Sequence, residues 1–153
     1  MLEDSAEQDG PPSNRMAIAV LALLGVLISA YLTLHKYGYI GTLACGSGEC
    51  ETVQTSKYAI FAGVPVPVLG LAGYLLLLAV AIAGLQAAWI RSRAFALGLF
   101  MLADGALLFS LYLTYLEKFV IHAWCRWCIA SAVVTLLIWL FALAELPRLR
   151  RSL

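Results

Sequence analysis

Four long apolar stretches dominate the chain, over residues 16–34, 64–90, 94–116 and about 128–146. Each is long enough for a membrane-crossing helix, which needs about 20 residues. Transmembrane β-strands would alternate polar and apolar positions over ~10 residues, and these stretches do not alternate. Because lipid offers no partner to open backbone groups, the pattern predicts an all-α integral membrane protein, a bundle of four transmembrane helices.

The polar ends of the chain predict two tails around one membrane domain. Residues 1–15 are acidic and contain Gly10-Pro11-Pro12, which indicates a disordered tail. Residues 16–147 form the predicted four-helix domain, and residues 148–153 a basic tail. Since the first apolar stretch follows acids rather than a basic region, we do not expect it to be a cleaved signal peptide.

Composition excludes the soluble classes. The chain is 63% hydrophobic and 12% charged, with a mean hydropathy of +0.90. Soluble domains are about 45–50% apolar and roughly 25% charged. A net charge of +1, without a basic cluster before the last residues, also argues against disorder and nucleic-acid binding.

Basic residues predict the orientation. Six lie on one side of the predicted bundle and four on the other. The six are Arg15, Arg91, Arg93, Arg148, Arg150 and Arg151. The positive-inside rule predicts that this side, and both termini, face the cytoplasm, with the bundle in the cell (inner) membrane.

Four cysteines fall on the opposite, exoplasmic side. Cys45 and Cys50 lie in the loop after the first span, and Cys125 and Cys128 lie where the fourth span begins. That side is oxidising in bacteria, so disulfide chemistry is expected there. Two structural disulfides are one interpretation, although such short rings gain little stability. A four-cysteine metal site is another.

A redox interpretation assigns the two pairs different properties. Cys125 stands at the amino end of a helix beside Arg126, and both features lower a thiol pKa. The segment between Cys45 and Cys50 contains two glycines, so that pair can move. A mobile pair beside a fixed pair suits relayed thiol–disulfide exchange.

The order of these motifs resembles the vitamin K epoxide reductase family over about residues 16–143. CETVQTSKY, residues 50–58, is similar to the family's cysteine followed by a Ser/Thr pair and an aromatic residue. FAGVP, residues 61–65, resembles its entry to the second span. SLYLT, residues 110–114, before AWCRWC, residues 123–128, resembles bacterial members.

This resemblance implies a quinone-linked thiol oxidoreductase with a role for each cysteine. Cys128 would react with the quinone and Cys125 would be its disulfide partner. Cys50 would exchange with Cys125, and Cys45 would meet an external redox protein. That partner would be a separate thioredoxin-fold (DsbA-like) protein, since this chain carries no fused domain of that kind.

The resemblance also implies a quinone pocket. Its expected contacts are Ser56, Tyr58, Val66, Leu69 and Leu113. A short horizontal helix over residues 51–61 would cover the bundle mouth. The expected quinone is ubiquinone or menaquinone.

Two further functions remain open. The vertebrate branch carries Asn and Tyr where Val66 and Ala132 align, and there the activity is reduction of vitamin K epoxide or quinone. A non-catalytic structural or metal-binding membrane protein is the alternative from another class. Asp104 inside the third span, His35 and His122 each allow a proton-handling or a purely structural role.

Overall fold

The computed structural model describes residues 13–41, 49–86, 89 and 92–151, with side chains for all of these except 49–51 and 147–151. Four helices in this part of the chain are long and apolar enough to cross a membrane, which confirms the predicted four-helix bundle. They are α1 (Ser13–Lys36), α3 (Val66–Ala83), α4 (Arg93–Leu116) and α5 (Arg126–Arg151).

The segment between α1 and α3 is more varied than predicted. Helix α2 (Glu49–Thr55) is followed by a 3₁₀ turn (Lys57–Ala59) and a hairpin of β1 (Ile60–Phe61) and β2 (Val64–Pro65). The horizontal helix expected over residues 51–61 is therefore wrong in its extent. The hairpin turn places Ala62 at φ 52° and Gly63 at φ 83°, the left-handed region that a helix cannot use.

The second span is also shorter than the apolar run that predicted it. Residues 64–90 are continuously apolar, but Val64 pairs in β2 and α3 ends at Ala83. Prolines near its amino end favour a start there, because proline is tolerated in the first turn. Helix α1 begins at Ser13, so residues 13–15 of the expected tail are helical.

The bundle is packed unevenly. Helix α1 packs closely on α3 and α5, and α4 packs closely on α5, while α3 and α4 hardly touch. Gly25 of α1 allows the close approach on one side, since a Cβ there would lie 2.3 Å from the ring of Tyr74 in α3. The loose contact between α3 and α4 leaves the space in which the site lies.

A buried ion pair closes the end of the bundle far from the cysteines. Arg15 is 1% exposed, and its Nε lies 2.5 Å from Oε1 of Glu145 in α5. Its Nη1 donates to the carbonyl oxygens of Gly84 and Trp89. Arg15 therefore joins α1, α5 and the α3–α4 connection, in addition to any part in setting the orientation.

Candidate functional site

A tight reversal of the chain positions the second cysteine pair. A π-helical turn (Glu117–Ile121) extends α4 and ends at His122, whose backbone is left-handed at φ 58°. The chain then turns into α5, which begins one residue after Cys125. Such π turns often occur at functional sites. The reversal directs the first turn of α5 back toward the bundle.

Cys125 and Cys128 are neighbours with free thiols in this structure. Cys125 is fully buried and Cys128 partly buried. The backbone N–H of Cys128 donates to Sγ of Cys125 over 3.3 Å. The spacing of three residues at a helix start therefore brings the two side chains together.

The pKa of the Cys125 thiol is lowered from its ordinary value. The main cause is hydrogen bonding from the Cys128 side chain, which outweighs the opposing effect of burial, and the Cys128 backbone N–H adds to it. The direction agrees with the sequence prediction, but the cause differs. The main cause is the hydrogen bond from the Cys128 side chain, whereas the sequence pointed to the positive charge of Arg126.

Gln54 of α2 contacts the second cysteine, and the sequence gave no reason to single it out. Its Nε2 donates to Sγ of Cys128 over 3.3 Å. The side chain is 5% exposed, and its Oε1 is buried without a hydrogen-bond partner among the described residues. Lys36 Nζ donates to the Gln54 carbonyl over 3.2 Å, which ties α2 to the end of α1.

Glu117 is a second contact that the sequence analysis missed. It is 4% exposed, and its Oε2 accepts a hydrogen bond from the backbone N–H of Cys125 over 3.4 Å. The available signal was an acid eight residues before Cys125, at the end of an apolar run. That signal alone does not show on which side of the helix the carboxyl lies.

A cavity of about 200 Å³ lies inside the bundle, where α1, α3, α4 and α5 all line it, and under the segment formed by α2 and the 3₁₀ turn. Cys128, Gln54 and Glu117 line it. All the residues that the resemblance named as pocket contacts line it as well. These are Ser56, Tyr58, Val66, Leu69 and Leu113.

Several hydroxyls line the cavity, and most of the exposed wall is nevertheless apolar because many of these hydroxyls are bonded within the protein. The Tyr74 hydroxyl lies 2.7 Å from Ser131 Oγ and 2.8 Å from Thr135 Oγ1. Ser56 Oγ donates to the Val53 carbonyl over 2.8 Å, which leaves its lone pairs for a ligand. The wall is therefore largely apolar, with the Gln54 amide, Glu117 and Cys128 thiol at one end.

Of the first cysteine pair, the structure describes only the backbone of Cys50. Cys45 lies outside the described residues, and Cys50 lies in α2, where its side chain is not described. Helix α2 contacts α5, so the segment that carries Cys50 lies against the element that begins after Cys125.

The remaining polar candidates stand apart from the cavity. Asp104 accepts a hydrogen bond from Trp139 Nε1 over 3.2 Å and is not among the described lining residues. Ala132 is not among them either. His122 ends the π turn with a left-handed backbone conformation. The Nδ1 atom of His35 is buried and has no hydrogen-bond partner among the described residues.

A comparison with protein families agrees with this geometry. The model of the vitamin K epoxide reductase family matches residues 16–143, which is most of the 153-residue chain. The chain therefore belongs to the vitamin K epoxide reductase family. It is a multi-pass membrane protein with a redox function of the kind that this family has.

Proposed function

We propose that this member of the vitamin K epoxide reductase family is a quinone-dependent thiol–disulfide oxidoreductase. Electrons pass from Cys45 and Cys50 to Cys125 and Cys128, and from Cys128 to a quinone in the cavity. One observation carries the proposal: Cys128 lines an apolar cavity, while Cys125, its neighbour, is not among the described lining residues and is fully buried. One sulfur of the pair is thus placed to meet a ligand.

The apolar character of the cavity and its few exposed polar atoms support a quinone as its ligand. Ligand pockets are mostly apolar with a few placed polar groups, and this lining has that character. The unpartnered Oε1 of Gln54 is a buried acceptor that a hydroxyl of the reduced ring would satisfy. The loose α3–α4 contact is the side from which a lipid-soluble molecule such as ubiquinone or menaquinone would enter.

The chain's own groups prepare the thiols for oxidation. Hydrogen bonding from Cys128 favours the thiolate of Cys125, and thiolates are the reactive form in exchange. Gln54 Nε2 is placed to stabilise negative charge on Cys128. Closing the Cys125–Cys128 disulfide releases two electrons and two protons to the quinone, which balances the reaction.

Electrons enter through α2. This helix carries Cys50 and contacts both the end of α1, through Lys36, and the start of α5, through the Gln54–Cys128 hydrogen bond. A thiolate of Cys50 would attack the Cys125 sulfur of the Cys125–Cys128 disulfide and release the Cys128 thiolate. Cys45 would then attack Cys50, which forms the Cys45–Cys50 disulfide and releases Cys125, and the dithiol of a thioredoxin-fold partner would reduce Cys45–Cys50 and become a disulfide itself. This chemistry belongs on the exoplasmic side of the inner membrane, where disulfides persist.

Steady-state quinone reduction tests the proposal. Purified protein in detergent receives a reduced thioredoxin-fold protein and ubiquinone or menaquinone, and hydroquinone formation is followed by absorbance. Cys128→Ala should abolish turnover, while Asp104→Asn should retain it, because Asp104 bonds Trp139 rather than the cavity. Normal turnover by Cys128→Ala would overturn the assignment. Reduction of vitamin K epoxide at a comparable rate would favour the alternative activity.

A further inference from the structure

Glu117 is a buried carboxyl that has no role in the proposed transfer of electrons between the cysteines. It stands at the end of α4 within the π turn and is 4% exposed. Among the described residues that line the cavity it is the only carboxyl. Carboxyl groups within membrane spans are costly and are commonly functional.

The carboxyl contacts the first cysteine of the second pair and shares the cavity with the other. Its Oε2 accepts the backbone N–H of Cys125 over 3.4 Å, and both Glu117 and Cys128 line the cavity. Because Glu117 also lines the cavity, one side chain connects the thiols with the place where the oxidant would bind.

We propose that Glu117 carries protons from the Cys125–Cys128 pair to the quinone. This inference rests on the proposed function. When the pair is oxidised, two S–H bonds break, one S–S bond forms, and two electrons and two protons leave the sulfurs. The Glu117 carboxylate takes each proton in turn, releases it to a quinone oxygen and returns to the carboxylate. Thiol oxidation and hydroquinone formation thus balance.

Two other groups that can carry a proton are less suited to this role. The Tyr74 hydroxyl is already held by Ser131 and Thr135. Asp104, the other acid of α4, bonds the Trp139 indole and is not among the described lining residues. Asp104→Asn is therefore a matched control, because it makes the same change from carboxyl to amide on the same helix.

Glu117 also has an evident structural part, which the test must separate. Its carbonyl accepts the Ala123 N–H over 3.2 Å, and its side chain holds the Cys125 N–H, so it closes the reversal before α5. Glu117→Gln keeps an oxygen that can accept the Cys125 N–H but cannot carry a proton. Glu117→Asp keeps the acid on a shorter side chain.

Single-turnover kinetics provide the first test. Pre-reduced protein is mixed with ubiquinone, and disulfide formation and hydroquinone formation are followed. We expect Glu117→Gln to slow the reaction about 100-fold or more, the lower end of the range for general acid–base catalysis. Glu117→Asp should recover part of the rate, and formate should partly rescue Glu117→Ala. A Glu117→Gln rate within about twofold of wild type would overturn the inference.

Time-resolved infrared spectra, recorded while ubiquinone oxidises the pre-reduced protein, give a second readout that follows carboxyl protonation itself. We expect a transient signal of a protonated carboxyl that persists in Asp104→Asn and is lost in Glu117→Gln. A spectrum without any carboxyl change would overturn the inference. If the wild type reduces no quinone at all, the proposed function fails, and this inference fails with it. Wild type and Glu117→Gln that reduce quinone at equal rates refute the inference alone.

Discussion

Replacing Gln54 by methionine should slow the oxidation of Cys128 without weakening the fold. Methionine has a similar length but no donor, so Gln54→Met removes the 3.3 Å hydrogen bond from Nε2 to the Cys128 sulfur. A hydrogen bond to a charged group is worth about 1.5–3 kcal/mol. If negative charge develops on that sulfur as it reacts, losing the bond should slow the step roughly 10- to 150-fold.

Gln54→Met should not lower the stability of the fold, although it should slow the reaction. Gln54 Oε1 is buried without a partner among the described residues, and such an acceptor destabilises a fold by about 1–3 kcal/mol. Methionine removes it together with the donor. The bond from Lys36 Nζ goes to the main-chain carbonyl of Gln54, so it survives the substitution. Stability should therefore stay unchanged or increase.

Stopped-flow oxidation of the pre-reduced protein by excess quinone measures the rate, and chemical unfolding in detergent measures the stability. Gln86→Met serves as the control, because Gln86 is exposed beyond the end of α3, far from the cysteines. Its rate should equal that of wild type. A Gln54→Met rate within about twofold of wild type would refute a role for this bond in the reaction. A slow rate accompanied by a clear loss of stability would show a folding defect instead.

Three further predictions concern packing, charge and titration. Gly25→Ala should destabilise the bundle by ~1–3 kcal/mol in detergent unfolding, because its Cβ would lie 2.3 Å from an aromatic ring of α3. Gly105→Ala, with nothing within 4 Å, should be neutral or stabilising, and equal losses would contradict this packing. Glu145→Gln leaves a buried arginine unpaired and should cost about 3–5 kcal/mol in the same assay, with a negligible loss as the contrary result. In reduced protein, the ultraviolet thiolate absorbance of Cys125 should titrate below the usual ~8.5, and Cys128→Ala should raise that pKa; an unchanged value would contradict the assigned cause.

The fold was largely predictable because the bilayer permits few solutions. Four uninterrupted apolar runs must be helices, and the structure has four helices of that kind in its described part. Hydropathy could not find the ends of α3. Residues 64–90 look uniform in hydropathy, yet the hairpin takes Val64 and Pro65 and the helix stops at Ala83. Backbone conformation, rather than apolar character, decides those boundaries.

Motif order was enough to name residues that line the cavity, but it could not predict contacts that depend on the direction of a side chain. Ser56 and Leu113 were named from the resemblance, and both line the cavity beside Cys128. Gln54 and Glu117 were not named. The sequence does not show which way a polar side chain points on a short helix or at the end of a span, because that direction depends on the chain reversal before α5. Hydrophobic periodicity contains no information about such long-range pairs.

The most direct test of the account is one anaerobic oxidation of fully reduced protein. The protein is mixed with a small excess of quinone, hydroquinone is quantified, and the new disulfide is located by mass spectrometry. The account predicts one hydroquinone for each disulfide formed, with Cys125–Cys128 as the first disulfide. Absence of hydroquinone, or a first disulfide that excludes Cys128, would contradict it.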